Sequence, residues 1–178
     1  VVTAPDRPAC RGRQIKKSAV KEFSEEHNLR IIQPTNLKDP GFAKQLKGLS
    51  PDLMVVVAFR MLPKVIWAIP PKGTFNLHAS LLPHYRGAAP INWALINQEQ
   101  QSGVTTFFIN EEIDTGAILL QETVTLNKDE TAGSLHDKLA LKGSELICTT
   151  IKGVFDGSIS PKKQDWKGTE KKAPKLNK

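Results

Sequence analysis

The sequence predicts an α/β fold, an open and mostly parallel sheet flanked by helices. Three observations carry that expectation. Leu53-Met54-Val55-Val56-Val57-Ala58-Phe59 is an unbroken apolar run, the pattern of a parallel strand buried on both faces. Strand-like and helix-like stretches alternate along the chain, as βαβ units require. The 178 residues, 39% of them hydrophobic, suffice for one compact domain and not for two full-sized ones.

Val1-Val2-Thr3, followed by Ala4-Pro5-Asp6-Arg7-Pro8, reads as the end of a strand entering a loop, so an earlier βα unit is expected upstream. Ser18 is placed to cap a helix in which Val20, Phe23 and His27 share near-helical spacing. Arg30-Ile31-Ile32-Gln33 reads as a short strand stopped by Pro34. A second helix is expected from Pro40 to Leu49, with Phe42, Leu46 and Leu49 inward. Pro63, Pro70 and Pro71 break up the stretch after the apolar run. Gly73 to His78 reads as another strand, and Pro90 as the first residue of a helix through Trp93 and Ile96. Val104 to Ile109 and Ile118 to Leu126 are rich in β-formers. Thr131 can cap a long final helix whose inner face uses Leu135, Leu139, Leu146, Ile147, Ile151 and Val154. Beyond Pro161 the composition turns to Lys, Gly and Pro. Residues 161–178 therefore read as a basic linker, leaving 1–160 as the domain proper.

Composition excludes several classes of function. No apolar run reaches the roughly 18 residues of a spanning helix, and the N-terminus lacks the pattern of a secretory signal. Cys10 and Cys148 are far apart and have no neighbouring His or Cys, which argues against a disulfide framework or a zinc site. Two free thiols in a reducing cytoplasm are expected. The net charge of +7 is concentrated at the ends: residues 1–21 and 161–178 each carry +5, leaving −3 between them. Basic segments flanking a slightly acidic domain suit a polyanionic partner; they also suit solvated ends.

Two polar clusters stand where strands of such a sheet should end, the place where open α/β sheets bind ligands. In Asn76-Leu77-His78-Ala79-Ser80, Asn76 and His78 are two apart on a strand and share a face. An amide donor beside an imidazole suits acyl chemistry: Asn76 can donate to a developing oxyanion, and His78 can do so while moving a proton. The second cluster is Asp114-Thr115-Gly116, whose carboxylate can orient the imidazole or take a proton from an attacking amine. A histidine on a strand is also an ordinary structural residue, and Asp before Thr-Gly an ordinary turn former. Spacing alone leaves both readings open. No glycine-rich phosphate loop, HExxH or nucleophile elbow is present.

Phe75-Asn76-Leu77-His78-Ala79-Ser80-Leu81-Leu82-Pro83, with Tyr85-Arg86-Gly87-Ala88-Ala89-Pro90-Ile91-Asn92-Trp93-Ala94, resembles the signature of the folate-dependent formyltransferases. Gly103-Val104-Thr105-Thr106 and Ile113-Asp114-Thr115-Gly116 resemble the family's second motif, and the separation of His78 from Asp114 is also that of the family. The resemblance covers nearly the whole chain. It implies the family's open, Rossmann-like sheet and a catalytic set of Asn76, His78 and Asp114. Asn76 would hold the formyl oxygen, His78 would stabilise a tetrahedral intermediate, and Asp114 would position His78 and accept the amine proton through water. It further implies that Ser80, Leu81, Leu82 and Pro83 touch the folate, and that Phe59, Arg60, Met61 and Leu62 wall its pterin. The one-carbon donor would be 10-formyltetrahydrofolate, with no metal.

The family formylates several amines, and the acceptor side discriminates among them. Pro5-Asp6-Arg7-Pro8-Ala9-Cys10-Arg11-Gly12-Arg13 resembles the basic loop of the family members that act on methionyl-tRNA, with Cys10 where they usually carry Gly. The resemblance implies initiator methionyl-tRNA as acceptor, met by Arg7, Arg11, Arg13, Lys16 and Lys17, whose cationic groups suit phosphates. A monomer acting in the cytoplasm without a membrane partner is expected. Ala173-Pro174-Lys175 resembles the linker into a C-terminal tRNA-binding domain, so that domain and the first βα unit are expected outside this chain. Two other readings remain: a formyltransferase or hydrolase of the same family acting on a small amine such as a nucleotide sugar or glycinamide ribonucleotide, and a non-enzymatic nucleic-acid-binding module.

Overall fold

A computed structural model of the chain describes residues 1–8 and 15–176. It contains two compact units, Val1–Ser50 with Phe59–Ile66, and Pro51–Ala58 with Trp67–Lys178.

In the first unit, Val2 bridges Ile32 in parallel, with Thr3 N donating to Ile32 O at 3.1 Å and Ile32 N to Val1 O at 2.9 Å. The strand expected over 30–33 contracts to this one bridge. Strands β1 (Arg7–Pro8) and β2 (Ile15–Lys16) pair antiparallel, Arg7 opposite Lys16. Arg11 and Arg13 lie outside the described residues, as do the side chains of Arg7 and Lys16. Helix α1 (Ala19–Glu26) begins where expected, because the Ser18 side chain accepts from Lys21 N. Its apolar residues are not inward, however. Val20 and Phe23 are 54% and 55% exposed, and Phe23 stacks on His27 at 3.9 Å. Helical spacing shows that residues share a face, not that anything covers it. Helix α2 (Pro40–Gly48) is capped by the Asp39 carboxylate and buries Phe42, Ala43 and Leu46. Leu49, expected inward, is its exposed C-cap, past the last turn that faces the core.

The second unit is built on a four-stranded sheet of β3 (Met54–Val57), β4 (Thr74–His78), β5 (Gln101–Phe108) and β6 (Ile118–Thr125), in that spatial order. The expectation of an open α/β sheet flanked by helices holds, but its mostly parallel character is corrected to a mixed one. β3 and β4 are parallel, whereas β4–β5 and β5–β6 are antiparallel. Residues 109–117, the link from β5 to β6, are too few for the crossover that parallel neighbours need. The apolar run at β3, which lies at one edge of the described strands, is also not buried on both faces: Val55 and Val57 are 37% and 50% exposed.

The short helix α3 (Lys64–Trp67) precedes β4, and α4 (Pro90–Ile96) follows it with Pro90 in its first turn. The long helix α5 (Ala132–Asp156) starts at Thr131, whose side chain accepts from Ser134 N while Ser134 Oγ accepts from Thr131 N. Its Leu135, Leu139 and Leu146 form a core with Val104, joined by Leu77, Ile91, Leu95 and Leu120. Each such burial stabilises the fold by roughly 1.5–3 kcal/mol. Gly143 lets α5 close onto β4, since a β-carbon there would stand 2.5 Å from Leu77 Cδ2.

Residues 161–176, whose composition reads as linker, are docked onto this unit. Lys162 bridges Ile118, and Lys172 bridges Arg86. Gln164 and Ala173 are buried. Ala173 N donates to Arg86 O at 2.8 Å, and Ala89 N donates to Ala173 O at 3.1 Å. The lysines are exposed, yet the backbone of Lys162, Lys171 and Lys172 and the Lys171 ammonium make contacts beside the buried Gln164 and Ala173, so composition misrepresents the segment. No helix among the described residues is long and apolar enough to cross a membrane.

Candidate active site

Alternation along β4 creates the site. Leu77 turns toward α5, as the core contacts show; Thr74, Asn76 and His78 therefore share the opposite face. Across the ladder Asn76 pairs with Phe107 and His78 with Thr105, and the Phe107 ring meets the imidazole edge-on, with centroids 6.5 Å apart. His78 is buried, 6% exposed. Its Nε2 lies 2.8 Å from Tyr85 O, and a carbonyl only accepts, so this nitrogen carries hydrogen. Nδ1 is left facing Asp114, at 3.8 Å from Oδ2. That is ion-pair range and too long for a direct hydrogen bond.

Asp114 reaches His78 by an indirect path. β5 ends at Phe108, opposite Phe75 near the start of β4, while His78 closes β4. Residues 109–117 must therefore run back along the sheet. Asn110 Oδ1 holds the turn, accepting from Glu112 N at 3.1 Å and Thr115 Oγ1 at 3.0 Å. The Asp114 carboxylate accepts from Gly87 N at 2.8 Å, and the residue adopts φ 55°.

Asn76 is half-buried, and no described residue is hydrogen-bonded to its carboxamide. A donor beside the imidazole is thus left for a ligand. The Ser80–Pro83 turn is fixed from beneath. Thr105 Oγ1 donates to Ser80 O at 2.6 Å and accepts from Leu82 N at 3.2 Å, while Gln121 Nε2 donates to Leu82 O at 2.9 Å. Ser80 Oγ is spent on His84 O at 2.7 Å, and Leu82 is buried. Tyr85, whose carbonyl holds His78, is itself anchored. Its hydroxyl donates to Glu99 and accepts from Asn97 Nδ2 at 3.0 Å. Burial, then the bond to Glu99, pushes its phenol up; the Lys171 ammonium, then Tyr85, holds the Glu99 carboxyl below its ordinary value.

The other sequence-predicted residues lie in the first unit. Phe59, Arg60 and Leu62 are half-buried, and Met61 is 71% exposed. The Arg60 guanidinium is committed to backbone, donating to Pro34 O at 2.8 Å and Thr35 O at 3.1 Å. Lys17 is exposed and paired with Glu25 at 2.7 Å. That contact raises the ammonium's pKa. Among the described residues no cluster of three or more His, Cys, Asp or Glu is arranged to hold a metal.

Sequence reasoning missed Gln164. Its Nε2 donates to Asp114 O at 2.9 Å and Gly116 O at 2.8 Å, and its Oε1 accepts from Arg86 Nη2 at 2.6 Å. A neutral side chain in a lysine-rich stretch gave no signal.

Comparison with known proteins gives this geometry its context. The family model described as formyl transferase matches residues 1–151. The methionyl-tRNA formyltransferase of Flavobacterium johnsoniae is 54% identical over 178 residues, covering 100% of this chain and 56% of that protein. The methionyl-tRNA formyltransferase of Bacteroides thetaiotaomicron is 48% identical over 165 residues, covering 93% and 51%. The chain thus spans about half the length of the curated relatives it matches. Among solved structures, the formyltransferase PseJ from Anoxybacillus kamchatkensis, in complex with UDP-4,6-dideoxy-4-formamido-L-AltNAc and tetrahydrofolate, has a TM-score of 0.67 at 23% identity, covering 96% of this chain and 84% of that one. Glycinamide ribonucleotide transformylase 1 from Symbiobacterium toebii has a TM-score of 0.70 at 19% identity, covering 81% and 74%. At these identities the likeness is one of fold. Because the family model runs through the sheet, the His78 strand and the Asp114 loop alike, the chain belongs to the formyl transferase family.

Proposed function

We propose that this chain carries the catalytic machinery of a methionyl-tRNA formyltransferase, which moves a formyl group from 10-formyltetrahydrofolate to the amino group of initiator methionyl-tRNA. The carrying observation is the His78 Nδ1 to Asp114 Oδ2 approach of 3.8 Å, on a sheet face where the Asn76 carboxamide has no described partner. The folate supplies an N-formyl group. The acceptor nitrogen attacks the formyl carbon, and the C–O π pair moves onto oxygen. The Asn76 amide donates to that oxyanion, and His78 Nδ1, when protonated, does the same. Asp114 takes the proton of the attacking nitrogen through water and stabilises a charged imidazole. Collapse re-forms the carbonyl and breaks the bond to the carrier nitrogen, which gains a proton. The products are formylmethionyl-tRNA and tetrahydrofolate.

Folate contact is assigned to Ser80, Leu81, Leu82 and Pro83, and pterin contact to Phe59, Met61, Leu62 and the backbone at Arg60. The tRNA is assigned to Arg7, Arg11, Arg13, Lys16 and Lys17. We place the reaction in the cytoplasm, on a monomer. The preference for tRNA rests on the basic N-terminal segment and on relatives of that name at about half identity along this chain.

The test is formyl transfer to charged tRNA by the purified protein. Asp114→Asn is expected to lower kcat by about 10²–10⁴-fold while the KM for 10-formyltetrahydrofolate stays near wild type. Equal losses of turnover and folate affinity would remove Asp114 from the chemistry. Inhibition by a nucleotide sugar at low salt, with none by tRNA, would transfer the assignment to a small amine.

A further inference from the structure

We infer that Gln164 is a positioning residue, setting the Asp114 carboxylate against His78; the inference rests on the catalytic reading above. Asp114 lies in a loop that doubles back along the sheet, and its backbone is in the left-handed region at φ 55°, which costs free energy for a non-glycine residue. Within the loop, hydrogen bonds join Asn110 to residues 112 and 115 and Thr115 Oγ1 to Glu112 O at 3.4 Å, and none of these holds the Asp114 peptide.

Gln164 supplies the missing constraint from the docked C-terminal segment. Its two donor bonds bracket Thr115, gripping the carbonyls of Asp114 and Gly116. The amide cannot be reversed, because its oxygen accepts from both Arg86 Nε at 3.1 Å and Nη2 at 2.6 Å. Arg86 is pinned in turn over the Trp166 ring at 4.3 Å. The residue after Arg86 is Gly87, whose N–H holds the Asp114 carboxylate itself at 2.8 Å. One assembly of Arg86, Gly87 and Gln164 therefore grips both the peptide and the carboxylate of Asp114. Gln164 is only 7% exposed and lies outside residues 1–151, the part matched to the family.

An anchor for the C-terminal segment and a positioning residue make different predictions. Two substitutions in the full chain separate them: Gln164→Met, which keeps length and burial, and Gln164→Glu, which keeps the acceptor for Arg86 but sets an oxygen against the two carbonyls. Positioning predicts a kcat about 10–100-fold lower in both, with the KM for 10-formyltetrahydrofolate within about twofold. Combined with Asp114→Asn, either change should cost little more, since its effect runs through Asp114. Wild-type kcat in both variants, losses that multiply with Asp114→Asn, or loss of the folding transition in both overturns the inference. If Asp114→Asn alone keeps full turnover, the catalytic reading falls first and takes this inference with it.

Discussion

Asp114 combines a left-handed backbone with a carboxylate that accepts from Gly87 N. Asparagine tolerates the same backbone region and offers an oxygen to the same donor. Asp114→Asn should therefore unfold within about 0.5 kcal/mol of wild type, so its loss of turnover reads chemistry and not collapse; denaturant titration beside the kinetics checks this. Gly116, two residues on, behaves differently. A β-carbon there would stand 1.6 Å from Phe108 O, and no rotamer relieves a clash with backbone. Gly116→Ala should cost about 1–3 kcal/mol and displace the loop carrying Asp114, lowering the urea midpoint and turnover together.

At the scale of elements, the N-terminus of α5 holds the clearest pH-sensitive contact. The Lys138 ammonium, then the Ser134 hydroxyl and the Asn127 N–H, hold the Glu130 carboxyl down to about 2 from an ordinary 4.5. A carboxyl depressed in the folded state contributes stability that is fully present above pH 4.5 and disappears as pH falls toward 2. Glu130→Gln should flatten the decline of Tm across that window and leave its shape near neutrality unchanged; scanning calorimetry at a series of pH values measures it. The helix starts were legible in the sequence because caps are local: Ser18 and Thr131 bond groups three residues away, and Pro90 fits a first turn by its own ring. Strand direction was not legible. The patterns of β5 and β6 are identical whichever way they run, so the sheet read as mostly parallel. Nor did the apolar run of β3 reveal that the face carrying Val55 and Val57 is exposed.

For the molecule as a whole, charge and long-range contact dominate. With +5 on each terminal stretch and −3 between, binding of tRNA should be strongly salt-dependent. Raising salt from about 50 to about 200 mM should weaken tRNA inhibition at least tenfold and alter folate affinity far less; parallel titrations measure both. The pairing of Asn76 with His78 was visible in sequence as a two-residue step on a strand. The approach of Asp114 was visible only through a family motif, since the loop's return path leaves no periodic trace. Gln164 was invisible: its partners are 50 and 78 residues away, and the stretch around it is rich in exposed lysines.

The grip of Gln164 on Asp114 and Arg86 has a consequence for biosynthesis. A ribosome adding about 5–20 residues per second finishes Asp114 several seconds before it reaches Gln164. Until then the chain has nothing with which to clasp the carbonyls of Asp114 and Gly116. A chain truncated just short of residue 164 should therefore transfer formyl groups at least about tenfold more slowly than one that carries the clasp, as the Gln164 variants do.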